Sequence, residues 1–147
     1  MTTMPDDVIK IFENIDCDKT KALTWVATVT KEGDPHIAPV CFVKAIDKDK
    51  LLIGISFAMQ TTKNIQNGSR VTVANAVYPN GYMVKGKGEI FAEGPHFNDY
   101  KERIEKRFAG KIKPKAVLLV HVEEVYHLKP AEGKKRIGDT DKLGSVC

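Results

Sequence analysis

A short polar segment in the middle of the chain carries the residue types that bind phosphate. It follows an apolar run that ends at Ser56, and it supplies two amides, two hydroxyls and an ammonium group, from Gln60, Thr61, Thr62, Lys63 and Asn64. Where a helix begins directly after a strand, its free backbone N–H groups lie at the positive end of the helix dipole and bind phosphate. An ordinary helix capped by Thr61 or Thr62 and ended by Gly68 has the same pattern.

Two glycines on one face of a later strand are the second candidate feature. Gly86 and Gly88 lie two residues apart, so both project from the same side of an extended chain. A strand tolerates such a pair where a flat ligand or a neighbouring backbone approaches closely, or where a small barrel bends sharply. The sequence leaves these explanations open.

The remaining reactive side chains do not form a pattern typical of a catalytic or metal site. The four histidines lack the spacing of helical metal ligands. Cys17, Cys41 and Cys147 are odd in number and far apart, so we expect neither a disulfide framework nor a zinc site, and Cys41 is interpreted as a small core residue. Glu123 and Glu124 are adjacent, so in a regular strand their carboxylates point to opposite faces and form no acid–base pair. No catalytic residue is assigned.

Length and charge restrict the class of protein. The chain of 147 residues fits one domain, with a core over about residues 8–128 and a polar C-terminal tail over 129–147. Its net charge of +4 is spread along the chain, unlike the concentrated basic face of a nucleic-acid binder. No apolar stretch approaches the roughly 20 residues of a membrane helix, and the polar start is unlike a signal peptide. We therefore expect a cytoplasmic protein that binds neither nucleic acid nor membrane.

Hydropathy alternation predicts a mainly β protein with short helices. A helix is predicted over 3–16, a second over about 61–68 and a third over 97–108. Six strands are predicted over residues 23–30, 36–46, 51–56, 70–78, 82–93 and 116–128. Pro39 argues for an edge position or a bulge in the second strand. Hairpin-length turns favour antiparallel pairing, and six such strands usually close into a small barrel.

The order of these segments resembles a known family. It is carried by Trp25-Val26-Ala27-Thr28-Val29, by Gly33-Asp34-Pro35-His36-Ile37-Ala38-Pro39-Val40, by the strand ending at Ser56, by Thr61-Thr62-Lys63-Asn64-Ile65 and by Gly81-Tyr82-Met83-Val84-Lys85-Gly86-Lys87-Gly88-Glu89. Together they resemble the pyridoxamine-5′-phosphate-oxidase-like, FMN-binding split-barrel proteins, and most closely the small single-domain members. The resemblance covers about residues 8–128.

This resemblance implies a six-stranded antiparallel split barrel that forms a homodimer with FMN in clefts at the subunit interface. The phosphate-binding segment corresponds to Gln60, Thr61, Thr62, Lys63 and Asn64. The ribityl chain and the flavin edge would lie beside Ile55, Ser56, Phe57 and Ala58. Backbone groups of Ala38, Pro39, Val40 and Cys41 would face the isoalloxazine ring. The partner subunit would supply the opposite wall, from residues 81–86 and the C-terminal tail.

The sequence departs from its relatives at the phosphate segment and in the tail. Relatives commonly carry Lys or Arg three or four residues before the position of Asn64, where this chain has Thr61 and Gln60. Hydroxyls, backbone amides and the cation of Lys63 would then bind the phosphate. The tail also lacks the Arg-rich substrate segment of the longer pyridoxamine-phosphate-oxidising relatives, so that substrate is not carried over.

The expected function is transfer of hydride or electrons through FMN to an unidentified small-molecule or protein partner, because the flavin performs the redox chemistry and the protein positions it. Three alternatives remain open. The first is an electron carrier without turnover. The second is a split-barrel protein that binds a deazaflavin or haem instead of FMN. The third is a small β-barrel that binds nucleic acid.

Overall fold

The computed structural model describes residues 2–13, 23–77 and 80–128 and the backbone of 136–137. Three helices are present in this part of the chain, α1 (Asp6–Phe12), α2 (Met59–Gln66) and α3 (Pro95–Phe108). The strands are β1 (Thr24–Val29), β2 (Pro35–Val40), β3 (Val43–Asp47), β4 (Lys50–Ile55), β5 (Val71–Val77), β6 (Asn80–Phe91), β7 (Ala116–His127) and the two-residue β8 (Arg136–Ile137). The fold is therefore mainly β with three short helices.

The strands form one antiparallel sheet in the order β2-β1-β5-β6-β7-β4-β3, and β8 pairs with β7. Strand β2 lies at one end of this order, as Pro39 predicts, because proline has no N–H to donate to a second neighbour. The two longest strands, β6 and β7, pair with each other at the middle of the order. The sheet wraps around a core of buried Val, Ile and Leu side chains that includes Val26, Val73 and Leu118.

The prediction of six strands is wrong, because the run from His36 to Ile46 is two strands. Strand β2 pairs with β1, whereas β3 pairs with β4, so the chain changes partner at Cys41 and Phe42. The backbone O of Phe42 accepts a hydrogen bond of 3.0 Å from the N of Gly54 at this corner. Seven strands of five or more residues result in the described part of the chain.

The N-terminal helix is shorter than predicted and covers the core. Val8 and Phe12 are fully buried against the sheet, and the N of Met4 donates to the backbone O of Lys48. The helix ends at Phe12, whereas residues 14–16 of the predicted helix lie outside the described residues, as does most of the tail over 129–147. Apolar residues spaced three and four apart explain why α1 packs through one face.

A β-bulge in β7 accounts for Gly86 and changes the geometry at Glu123. The register between β6 and β7 shifts between Lys85 and Gly86, so β7 carries an extra residue there. A side chain at Gly86 would collide with the backbone O of His121, which identifies the close approach of a neighbouring backbone. The expectation that Glu123 and Glu124 point apart is wrong here, because the guanidinium of Arg70 bonds both carboxylates, at 3.2 Å and 3.1 Å.

Gly88 has a different explanation, in the packing of the core. A side chain at this position would meet the side chains of Leu118, Val71 and Ile65. Neither Gly86 nor Gly88 therefore needs a ligand to account for it within this chain.

Candidate functional site

A cavity of about 610 Å³ lies between α3 and the ends of β2 and β4. This volume falls within the roughly 300–1,000 Å³ that is usual for small-molecule sites. Its lining is mostly apolar and comes from three parts of the chain, namely residues 39–42, residues 54–58 and the inner face of α3, from Tyr100 to Phe108, with Ile112 beyond the helix. The change of partner at Cys41 and Phe42 produces the opening, because the chain leaves β2 and turns toward β4 there.

Seven of the thirteen predicted flavin-binding residues line this cavity. They are Pro39, Val40, Cys41, Ile55, Ser56, Phe57 and Ala58. These residues come from two segments that are separated in sequence, and the structure brings them to one opening. The side chain of Phe57 is 77% exposed, which is unusual for a large apolar residue and leaves its ring available to a ligand.

The other six predicted residues do not line the cavity. Ala38 is buried in β2, and Thr61 and Asn64 are buried on the inner side of α2. Asn64 donates to the hydroxyl of Thr28 at 3.0 Å and accepts from the amide of Gln60 at 2.7 Å. Thr62 donates its hydroxyl to the backbone O of Ala58, and Lys63 is exposed.

The start of α2 has the unsatisfied donors that an anion site needs. The helix begins after Ala58 with no side-chain cap, so the prediction that Thr61 or Thr62 is the cap is wrong. Within the described residues, the backbone N–H groups of Gln60 and Thr61 have no acceptor, and the buried hydroxyl of Thr61 has no partner. An unpaired buried hydroxyl is uncommon, since it costs free energy comparable to a lost hydrogen bond. Because Ala58 lines the cavity, this helix end adjoins it.

Ser56 and Tyr100 form a buried hydroxyl pair in the cavity wall. Their oxygens are 2.6 Å apart, and both residues are less than 10% exposed. Burial raises the pKa of Tyr100, and the hydrogen bond to Ser56 opposes this effect. The phenol therefore stays protonated at neutral pH.

The charged residues that line the cavity are all cationic. Arg103, Lys106 and Arg107 come from α3. The guanidinium of Arg103 lies 5.9 Å from the ring centre of Phe42 and pairs with Asp99 at 3.5 Å, while Lys106 pairs with Glu102 at 2.9 Å. Asp99 and Glu102 offset part of the positive charge at this wall, and the charge that is left favours a negatively charged ligand.

Cys41 differs from the sequence prediction. It is half-buried, lines the cavity and is disulfide-bonded. The interpretation of Cys41 as a small core residue is therefore wrong.

Sequence reasoning missed the contribution of α3 to the cavity. The helical spacing of Phe97, Tyr100, Ile104 and Phe108 predicts an amphipathic helix over 97–108, in which Tyr100 is only part of the apolar face. The available signal was its hydroxyl, because a buried tyrosine usually has a hydrogen-bond partner. The partner itself depends on tertiary structure, since 44 residues separate Tyr100 from Ser56.

Two kinds of site are absent from the described residues. No helix there is long and apolar enough to cross a membrane. No group of three or more His, Cys, Asp or Glu side chains in this part of the chain is arranged to hold a metal ion.

Solved structures with the same fold define the class of protein. HupZ from Group A Streptococcus superposes with a TM-score of 0.72 and 25% identity, over 86% of this chain and 95% of that chain. An FMN-binding protein from Syntrophomonas wolfei gives a TM-score of 0.70 at 15% identity, over 84% and 87%. An F420 reductase gives 0.60 at 16% identity, over 83% and 98%. The fold is thus that of the split-barrel proteins.

Sequence comparison gives the family. The family model for pyridoxamine 5′-phosphate oxidase matches residues 19–129, and the chain belongs to this family. It is also 30% identical over 134 residues to the uncharacterized protein MJ0282 of Methanocaldococcus jannaschii, covering 88% of this chain and 89% of that protein.

Proposed function

We propose that this protein binds FMN and acts as a flavin-dependent oxidoreductase. The observation that carries the proposal is the cavity between β2, β4 and α3, which adjoins a helix start with unsatisfied donors. FMN combines a dianionic phosphate with a flat, largely apolar ring, and this combination fits an uncapped helix start next to an apolar opening. Membership of the pyridoxamine 5′-phosphate oxidase family supports a flavin ligand.

The phosphate is assigned to the first turn of α2. The free N–H groups of Gln60 and Thr61 and the unpaired hydroxyl of Thr61 supply donors, and Lys63 supplies a nearby positive charge on the exposed side of the helix. This arrangement replaces the Lys or Arg that relatives carry at the positions of Gln60 and Thr61.

The ring is assigned to the space between residues 39–41 and residues 55–58. Apolar side chains line this space, and backbone groups of the strand ends offer hydrogen bonds to the polar edge of the ring. When bound, FMN supplies hydride or electron transfer, while this chain binds the ring, orients it and shields it from water.

A second copy of the chain is proposed to complete the site. Leu23, Trp25, Val29 and Ile37, here called the β1–β2 outer face, are each at least 40% exposed. They share one side of the sheet, because alternate residues of β1 point outward and Ala27 lies opposite Ile37. Exposed apolar patches of this kind mark protein interfaces, and the family resemblance implies a dimer.

A deazaflavin is the second candidate ligand, because an F420 reductase shares the fold. The cationic wall formed by Arg103, Lys106 and Arg107 accepts an anionic group from either molecule. Adding electron acceptors to the reduced cofactor tests two points. It identifies the redox partner, and it shows whether the protein turns over or only carries electrons.

Ligand titration tests the proposal. We expect micromolar or tighter binding of FMN to the purified protein, measured by quenching of flavin fluorescence, with weaker binding of coenzyme F420 and of haem. Lys63→Ala should weaken FMN binding several-fold, because it removes the cation at the phosphate. Lys101→Ala is the matched control, since Lys101 is an exposed lysine on α3 that does not line the cavity. Preference for F420 or haem over FMN would overturn the cofactor assignment, and an equal effect of the two lysine variants would overturn the phosphate assignment.

A further inference from the structure

We propose that Tyr100 is a positioning residue, which fixes the hydroxyl of Ser56 so that Ser56 donates a hydrogen bond to the ligand in the cavity. This inference rests on the proposed function, because the ligand is taken to be FMN. It starts from one contact, the 2.6 Å separation of the two hydroxyl oxygens in a buried part of the cavity wall. Ser56 belongs to the segment assigned to the flavin edge, whereas Tyr100 comes from α3, to which the family resemblance gave no role.

The ring of Tyr100 is held in place from two sides. Gly54 leaves the space that the ring occupies, because a side chain at this position would collide with the ring edge of Tyr100. The ring of Phe42 packs against it with centroids 5.1 Å apart and planes tilted by 55°. A ring held in this way has little rotamer freedom, so its hydroxyl stays at one point relative to Ser56.

The direction of the hydrogen bond follows from acidity. A phenol is a stronger acid than an alkyl hydroxyl, so the hydroxyl of Tyr100 donates and the Oγ of Ser56 accepts. The proton of Ser56 is then directed elsewhere, and its hydroxyl has no second partner among residues 2–13, 23–77 and 80–128. Because Ser56 lines the cavity, an acceptor on a bound ligand can take this proton.

Such a donor affects the ligand unequally in its two redox states. A flavin gains negative charge on reduction to its anionic form, so a fixed donor at its polar edge stabilises the reduced state more than the oxidised state. The bond from Tyr100 strengthens the donor, because hydrogen bonds in a chain polarise one another. Tyr100 therefore influences the flavin through the hydroxyl of Ser56.

The test compares Tyr100→Phe with Tyr126→Phe. The first substitution keeps the ring between Gly54 and Phe42 and removes only the hydroxyl. The second removes the hydroxyl of another buried tyrosine, which donates to Glu124 and does not line the cavity. For each variant the affinities for oxidised and reduced FMN are measured, by fluorescence titration and by the midpoint potential of the bound flavin. Near-ultraviolet circular dichroism checks that each variant is folded.

We expect Tyr100→Phe to lower the ratio of reduced to oxidised FMN affinity by about 3- to 10-fold, the range for loss of one hydrogen bond. Ser56→Ala should lower the ratio by at least as much, and the double variant should add little to Ser56→Ala because the two groups act in series. Tyr126→Phe should leave the ratio within about twofold. A Tyr100→Phe ratio equal to that of the wild type would overturn the inference while FMN binding stands, and additive effects in the double variant would also overturn it. If the wild type binds no FMN, the proposed function is wrong, and the role of Tyr100 toward a flavin is then wrong as well.

Discussion

At the scale of one residue, Thr61 has an unsatisfied hydroxyl that is consistent with a ligand site. Its hydroxyl is buried and unpaired in the described part of the chain, although threonine in a helix usually bonds a carbonyl of the preceding turn, as Thr62 does. A buried hydroxyl without a partner reduces stability. Retaining one at a helix start is explained if it donates to a bound phosphate.

Replacing Thr61 with valine separates these two effects. Thr61→Val keeps the shape of the side chain and removes the unpaired hydroxyl, so we expect the apo protein to gain up to about 1 kcal/mol of unfolding free energy. FMN affinity should fall several-fold, because one donor to the phosphate is lost. Urea unfolding of the apo protein and fluorescence titration with FMN measure the two quantities. A variant with unchanged FMN affinity would remove Thr61 from the site.

At the scale of elements, a hydrogen bond joins α1 to the sheet in addition to the contacts of the apolar face of this helix. Tyr82 in β6 donates its hydroxyl to the carboxylate of Asp7 at 2.6 Å. This hydrogen bond is the main reason why the pKa of Asp7 lies below its ordinary value of 3.8. A carboxyl group whose pKa is lower in the folded state adds stability above its unfolded pKa and loses it as the pH falls through the folded value.

Asp7→Asn should therefore destabilise the protein in a pH-dependent way. We expect a loss of up to about 1 kcal/mol at neutral pH, because Asp7 is an exposed acceptor. The difference from the wild type should shrink as the pH falls from about 5 to about 3. Urea unfolding at several pH values measures it. Asp6→Asn, in the same first helical turn, controls for the helix dipole. A difference that does not change with pH would show that the carboxylate charge contributes nothing.

Most elements were predictable from the sequence, because alternation along one strand reports which face is buried. The boundaries of β1, β4 and β7 therefore agree with the prediction to within one or two residues. The break at Cys41 and the bulge at Glu123 were not predictable, since each depends on which strand lies alongside. The same holds for the site. The family resemblance predicted the strand segments that line the cavity, whereas the arrangement of Tyr100 and Gly54 depends on contacts between α3 and β4.

At the scale of the whole molecule, the distribution of apolar surface argues for two chains. Trp25 and Ile37 are 41% and 60% exposed on one sheet face, although the same strands bury Val26 and Ala38 on the other. In a monomer these apolar side chains stay exposed to water, whereas a second copy of the same chain can bury them.

Ile37→Asp should produce a monomer with the 16.3 kDa mass of a single chain, while the wild type should have twice that mass. A charge in a buried interface is unfavourable without a partner, but on a free surface it changes stability by less than about 0.5 kcal/mol. Light scattering after size exclusion measures the mass, and Lys101→Asp on the exposed face of α3 is the control. A monomeric wild type with FMN bound would contradict the interface.

The visible absorption spectrum of the protein after incubation with FMN and removal of free ligand tests the central claim most directly. We predict retained flavin bands with a stoichiometry of one FMN per chain, and absorbance changes relative to free FMN that reflect an apolar ring environment. A colourless protein after this treatment would contradict the account.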